Sequence, residues 1–451
     1  MQKSITKNFE FFEFIHLISN NNERFLLKLW TMGNKEMQSM LIEYTTTIIT
    51  RNPKTLDLFY NNTYLILSSD NTNYDLKNFV DKIKYLYFYV VPKAVFNQFS
   101  QFNLIASKLL HLRICHAINF IDETLKKMLK MTPKLKTLEI VNNIQNNNFS
   151  DNVAKYFPKK LQNLIFHNKN MFGYLTCKFI DYLPTRLVKL TLSYGLTEIP
   201  DSIENLVCLK YLNLEYNNIK TVSEKIGMLK NLEMLKLECN LIESLPNSIG
   251  MLENLKSLNL SYNIMIKNPA VFENILFKKI QYLNLSYNRV YLENNCNFPN
   301  LLAFVNLKKL DLAGNKLNNI SETIGFLINL TELNLNDNSL QYLPNCFENL
   351  TTLTILNLSI NNLEYIPKYI TTFTNLIDLN MASNSIKKIP KTIGNLKKLK
   401  YLILSSNKIQ KVPEEIAQLT SLKILLLDYN NIETIPKQII QMKIPLLNWN
   451  K

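Results

Sequence analysis

Leu330-Thr-Glu-Leu333-Asn-Leu335-Asn-Asp-Asn338-Ser-Leu340 is one copy of a phrase, L-x-x-L-x-L-x-x-N-x-L, that decides the fold of this 451-residue chain. The phrase opens at Leu307, Leu330, Leu353, Leu376, Leu399 and Leu422, at every twenty-third position. A fixed period in the twenties means stacked copies of one small unit, each burying its apolar side against its neighbours. Within L-x-x-L-x-L the last two leucines alternate with polar residues, the two-residue period of a strand buried on one side. Each copy therefore supplies one short strand, and the strands stack in parallel about 4.8 Å apart.

Working outward, the same phrase opens at Leu209, Leu232 and Leu255. The next two units, Leu255 to Ile280 and Ile280 to Leu307, are longer by two and four positions. Their extra length falls around Lys267-Asn-Pro269 and Tyr291 to Asn300, where insertions are expected to bulge away from the sheet. Further upstream a hidden ladder runs through Ile83, Leu109, Leu135, Leu161 and Leu187, with a constant step of twenty-six. Asn143 is the one residue there that sits where the later phrase has its asparagine. Fifteen openings result, a strip of roughly 70 Å, and Leu56-Asp-Leu58 and Leu65-Ile-Leu67 are candidates for earlier strands.

From Asn217 through Asn240, Asn263, Asn288, Asn315, Asn338, Asn361, Asn384 and Asn407 to Asn430, the asparagines form an uninterrupted column. A buried amide must be hydrogen-bonded, and backbone left bare where the strand turns away can do this. The column is therefore expected to be structural. The return half reads Ile389-Pro390-Lys-Thr-Ile393-Gly394-Asn-Leu396, in which proline sets a turn and the Ile/Leu pair closes the core through a short helix or 3₁₀ turn.

These phrases resemble the leucine-rich repeat family, and from about 195 to 440 its Ras-group of intracellular scaffolds. The resemblance implies an α/β solenoid, a horseshoe with a parallel concave β-sheet. It also implies a non-enzymatic adaptor, with a small GTPase or a phosphatase as expected partner. The expected divisions are a helical N-terminal cap at 1–50, irregular repeats of the longer step at 51–194 and regular repeats of the shorter step at 195–451.

Within 1–50, Phe9, Phe12, Ile15, Leu17 and Ile18 suggest one amphipathic helix, with others at 23–30 and 35–44. Two readings stand. One is a cap over the open core of the first repeat. The other is a degenerate F-box, because Leu29-Trp30-Thr-Met-Gly33-Asn34-Lys35 resembles stretches that join such helices to leucine-rich repeats, although the usual Leu-Pro opening is missing. The second reading makes the chain a substrate receptor of a cullin ubiquitin ligase.

Lysine and arginine (51) exceed aspartate and glutamate (36), for a net charge of +15. Such a balance brings nucleic acid or an anionic membrane into consideration. None of the six cysteines forms a Cys-x-x-Cys pair, and neither end carries clustered cysteines, so a reducing compartment, the cytoplasm, is expected. Glu10 and Glu13 interrupt the opening apolar run, so no signal peptide is expected there. No stretch approaches the ~20 apolar residues that span a bilayer. The four histidines take no spacing known for metal or triad chemistry, and eight glycines build no phosphate loop. No enzyme, cofactor or metal is expected.

Function then falls to the variable strand positions on the concave face. From Leu209 onward these hold seven acids, Glu215, Glu238, Asp311, Glu332, Asp337, Asp378 and Asp428, against two bases, Lys236 and Lys309. Lysines such as Lys387, Lys388, Lys391, Lys397 and Lys398 sit on the flanks instead. A duplex needs a basic stripe, so this face suits a basic protein surface rather than nucleic acid. Two further patches stand out. Tyr85, Tyr87 and Tyr89 alternate along one strand with His111 and Arg113 on the next, residue types that anchor interfaces or here pack on the cap. Tyr401, Ile403, Ile424 and Leu426 place apolar side chains on adjacent strands. The tail Ile444-Pro-Leu-Leu447-Asn-Trp449 either folds back over that patch or closes the open end of the core. A monomer engaging protein partners is the expectation.

Overall fold

The alternation of leucine and polar residues folds as it must, into strands only a few residues long. A computed structural model of the chain describes strand segments 47–49, 64–67 and 85–88 and residues 106–115, 122–142, 151–168, 176–193, 195–264, 277–288 and 301–449. Two compact units result: Met1–Phe149 with Lys155–Asn170, and Ser150–Ala154 with Met171–Lys451. The expected helices at 9–44, the candidate strand at 56–58, Asn143 and the two insertions lie outside the described residues.

The first unit holds β1 (Thr47–Ile49), β2 (Tyr64–Leu67), β3 (Tyr85–Phe88), β4 (His111–Cys115), β5 (Thr137–Asn142) and β6 (Asn163–Asn168). Consecutive strands pair in parallel. Leu86, Leu112, Leu138 and Leu164 stand opposite one another, so the register keeps the step that Leu109, Leu135 and Leu161 mark in the sequence. All four are at most 1 % exposed. Between β4 and β5 runs α1 (Asp122–Met131), which the strand phrases did not announce. It buries Leu125, Met128 and Leu129, a stripe at i, i+3 and i+4. Thr132 follows it and donates from Oγ1 to the Met128 carbonyl at 3.1 Å.

The second unit continues with β7 (Lys189–Ser193), β8 (Glu198–Ile199), β9 (Tyr211–Asn213), β10 (Thr221–Val222), β11 (Met234–Lys236), β12 (Ser257–Asn259) and β13 (Tyr282–Asn284). Then come β14 (Lys309–Asp311), β15 (Glu332–Asn334), β16 (Ile355–Asn357), β17 (Asp378–Asn380), β18 (Tyr401–Ile403), β19 (Ile424–Leu426) and β20 (Leu446–Asn448). All but the β8–β10 pair join one parallel ladder. Its middle residues are Leu190, Leu212, Leu235, Leu258, Leu283, Leu310, Leu333, Leu356, Leu379, Leu402, Leu425 and Leu447, so both long units keep register despite their insertions. The tail does not fold over the apolar patch. Leu446–Asn448 pairs in parallel with β19, because Pro436 and α2 (Lys437–Gln441) repeat the proline-led helical turn that precedes strands such as β18 and β19.

The return legs are short 3₁₀ turns, such as Lys391–Asn395 entered from Pro390. In two legs a serine replaces the proline: Ser223 and Ser321 accept the backbone N–H of Lys225 and Thr323 at 3.0 and 3.2 Å. Successive turns stack so closely that a Cβ on Gly325 would lie 2.7 Å from the Cβ of Cys346 in the next repeat. Only glycine fits there.

The asparagine column sits beneath the turn that leaves each strand. Asn338 donates from Nδ2 to the carbonyls of Leu335 (3.0 Å) and Asn336 (3.2 Å), and to that of Leu312 in the preceding repeat (3.0 Å). Its Oδ1 accepts the N–H of Leu317 at 2.9 Å and of Asn315 at 3.2 Å. The others repeat this scheme, and all are buried save the half-buried Asn384. Asn288 departs from it: its Oδ1 is buried with no donor among the described residues, and the residue two past Asn263 lies in the first insertion. Asn338→Ala would strand several buried backbone groups at once. We expect it to lower stability by roughly 2–3 kcal/mol, read as a shift of the urea midpoint of the full chain.

Candidate functional site

The side chains flanking each middle leucine project from the open face of the sheet, the face expected to be concave. Position for position, the residue after that leucine is mostly asparagine, as at Asn213, Asn284, Asn334 and Asn380. Each Oδ1 accepts the N–H two residues on, at 2.9, 2.9, 3.1 and 3.0 Å. Asp311 occupies the same place and holds the Ala313 N–H at 3.0 Å. Half of its carboxylate is thus engaged in shaping the chain, and burial raises its pKa above the usual carboxylate range.

The other acids differ from one another. Glu332 meets Lys309 at 2.7 Å, across a pair set by the β14–β15 register. Asp428 accepts from Ser405 Oγ at 2.7 Å. Asp378 is half-buried, which pushes its pKa up, and Asp337 is exposed. Glu215 and Glu238 share Lys236, at 3.7 and 3.9 Å. Burial, and then the neighbouring Glu215 carboxyl, push Glu238 up to about 7 against the pull of Lys236. One Glu238 oxygen is buried without a donor among the described residues. A proton shared with Glu215 would satisfy it. Both lysines on this face are thus matched to acids of the same or the adjacent repeat.

Tyr401 stands opposite Ile424, and Ile403 opposite Leu426. The added strand extends this apolar run, with Leu446 beside Ile424 and 48 % exposed. In the first unit, the register places Tyr85 opposite His111 and Tyr87 opposite Arg113, while Tyr89 lies outside the described residues. Arg113 Nε is 3.4 Å from Glu139 on β5. Burial, helped by Lys136, lowers the His111 pKa, so that imidazole is neutral near pH 7. Among the described residues no three His, Cys, Asp or Glu side chains converge as a metal site. No helix among them is long and apolar enough to cross a membrane.

One feature escaped the sequence reading. In every copy from Leu209 onward, the residue before the ladder asparagine is left-handed, with φ of 52° to 56°, or 66° at Gly314. That conformation costs a side-chain-bearing residue about 1–2 kcal/mol, and the bonds made by the asparagine hold it. Tyrosines recur at this position, including Tyr216, Tyr262, Tyr287 and Tyr429, with Tyr262 53 % and Tyr429 69 % exposed. Tyr262 and Tyr287 stack with centroids 4.6 Å apart and planes 12° off parallel. The Tyr287 ring covers Gly314, where a Cβ would come within 2.3 Å of it. The recurring words Leu260-Ser-Tyr-Asn263 and Leu285-Ser-Tyr-Asn288 were the available signal.

A family model described as a leucine-rich repeat region matches residues 197–276, and a second, leucine rich repeat, matches 305–363 and 374–432. Among solved structures, a leucine-rich repeat protein of Leptospira interrogans is 31 % identical over 72 % of this chain and 75 % of its own, with a TM-score of 0.55. An internalin of Listeria monocytogenes shares the fold at 19 % identity, over 72 % of this chain and 88 % of its own, with a TM-score of 0.54. The Drosophila Toll–Spatzle complex does so at 16 % identity, over 90 % of this chain and 58 % of that chain, with a TM-score of 0.60. No curated protein matches the sequence.

The Glu215–Glu238 pair makes stability depend on pH. A carboxyl whose pKa is raised by folding binds more protons folded than unfolded, so its contribution is complete below about 4.5 and lost as pH rises through about 7. Glu238→Gln removes that loss. Its melting midpoint should exceed the wild-type value by about 2–4 °C at alkaline pH and by much less at acidic pH. A gap that does not widen on going from acid to alkali would refute the shared-proton geometry.

Proposed function

Because the chain belongs to the leucine-rich repeat family, we propose that it is a non-enzymatic protein-binding scaffold whose partner lies across the open face of the second unit's sheet. One observation carries this reading. Tyr401, Ile403, Ile424, Leu426 and Leu446 form a run of apolar side chains on three adjacent strands, at positions that earlier strands fill mostly with polar residues. A contiguous apolar patch left to water marks an interaction surface. Asp378 and Asp428 edge it and Glu332 lies beyond, so the complementary partner has an apolar centre and a basic rim.

A place in small-GTPase or phosphatase signalling is the reading favoured by the Ras-group form of repeats 195–440. Cys177, Cys208, Cys239 and Cys346 are free thiols, which supports the cytoplasm as its compartment. The ubiquitin-ligase alternative assigns the segment 1–50 a separate task. Leu426→Asp, made in the full chain and used as bait beside wild type, should lower partner recovery about 30-fold or more, the effect of disrupting a central anchor. Undiminished recovery with an intact circular dichroism spectrum removes this face from the function. Cullin components that disappear when the segment 1–50 is deleted would favour the receptor reading instead.

A further inference from the structure

At one margin of the second unit's sheet a shallow cleft of about 280 Å³ is lined by Tyr262, Tyr287, Gly314, Lys316 and Asp337. All five have left-handed backbones, with φ of 55° to 66°. In the other described copies of the phrase from Leu209 onward, the residue after the ladder asparagine is not left-handed; here Lys316, just after Asn315, is. Both N–H groups around this turn, of Asn315 and Leu317, converge on the Oδ1 of Asn338, so its geometry is set by the ladder. Gly314 gives the cleft its depth, because any side chain there would collide with the Tyr287 ring.

Pockets that hold small-molecule ligands start at roughly 300 Å³; this cleft has room for one long side chain. Two stacked tyrosines line it, and aromatic rings attract cations through the negative potential of their faces. Asp337 adds an exposed carboxylate. Burial, and then Tyr262, Asp337 and Asp311, raise the pKa of the Tyr287 hydroxyl, which places both carboxylates within electrostatic reach of that ring and keeps the phenol neutral. Among the described residues Lys316 is the one cation lining the cleft, and its side chain is exposed.

We propose that this cleft receives an arginine side chain of the protein partner, its guanidinium laid against the tyrosine faces and paired with the Asp337 carboxylate. Arginine suits it better than lysine, because the guanidinium is planar, weakly hydrated and able to stack while bonding a carboxylate in its plane. The proposal rests on the protein-binding reading above and names the chemistry of one contact within it.

The test is ligand-observed saturation-transfer NMR on the full chain, with N-acetyl-arginine amide, N-acetyl-norleucine amide and N-acetyl-glutamate amide as probes. The arginine probe should give the strongest signal, and Asp337→Asn should reduce it about fivefold or more. Asparagine tolerates the left-handed backbone, so that variant stays folded; Tyr287→Ala should have the same effect. Lys316→Ala should strengthen the signal by removing a competing cation. An equal signal from norleucine would reduce the cleft to a greasy surface, and a glutamate signal dependent on Lys316 would make its occupant acidic. Either result overturns the proposal, as does an arginine signal that survives Asp337→Asn or one absent from wild type. Leu426→Asp separates the two readings: it should leave the arginine signal intact whatever it does to partner capture.

Discussion

The second unit depends on one recurring interaction, a buried amide that binds backbone from two repeats at once. The Nδ2 of a ladder asparagine such as Asn361 spans its own strand exit and the one before, while its Oδ1 takes an N–H of the preceding repeat. Leucines supply most of the driving force, since burying each is worth about 1.5–3 kcal/mol. They do not by themselves dictate where the strand stops. The amide does, because the carbonyls it satisfies are those that a longer strand would have bonded to its neighbour.

That arrangement has a local cost, which falls in a useful place. To bring the amide under the turn, the preceding residue must adopt a left-handed backbone, where glycine would be least strained. Only Gly314 meets that preference among the ten copies; tyrosine, serine, cysteine, aspartate and isoleucine stand in the others. The strain thus accumulates in a row along the margin of the open face. Several of the side chains so displayed are large and well exposed, such as Tyr216, Ile360 and Tyr429. Scaffold and contact surface adjoin along the backbone: the asparagine is fixed, and the residue before it is presented.

Much of this was legible in the sequence and some was not. Both repeat steps, the two longer units and the role of the asparagine column follow directly from where Leu109, Leu135, Leu255, Ile280 and Leu307 lie. Helix α1 was hidden because its stripe of Leu125, Met128 and Leu129 falls within a unit already explained by its strand. The tail strand was missed because Leu446-Leu447-Asn448 carries only a fragment of the phrase; Pro436 was its clearest announcement. Among the expected contact residues, Asp311, Glu332, Arg113 and Asp428 turned out to bond their own neighbours. Alternation shows which side of a sheet a residue faces, but not whether another repeat already answers its charge. The tyrosine cleft was beyond reach for a related reason, since a positive φ is a property of the turn and not of the residues that occupy it.

The ladder amides reach no further than the adjacent repeat, and this has a mechanical consequence. Where the described residues of the second unit are joined only by nearest-neighbour bonds, no long-range clasp among them resists tension along its axis. Stretched from one end, it would surrender one regular repeat at a time, each releasing about 75 Å of extended chain. The force at each step would report the quality of a single asparagine's bonds. Such a chain is a graded extensible element as much as a rigid platform.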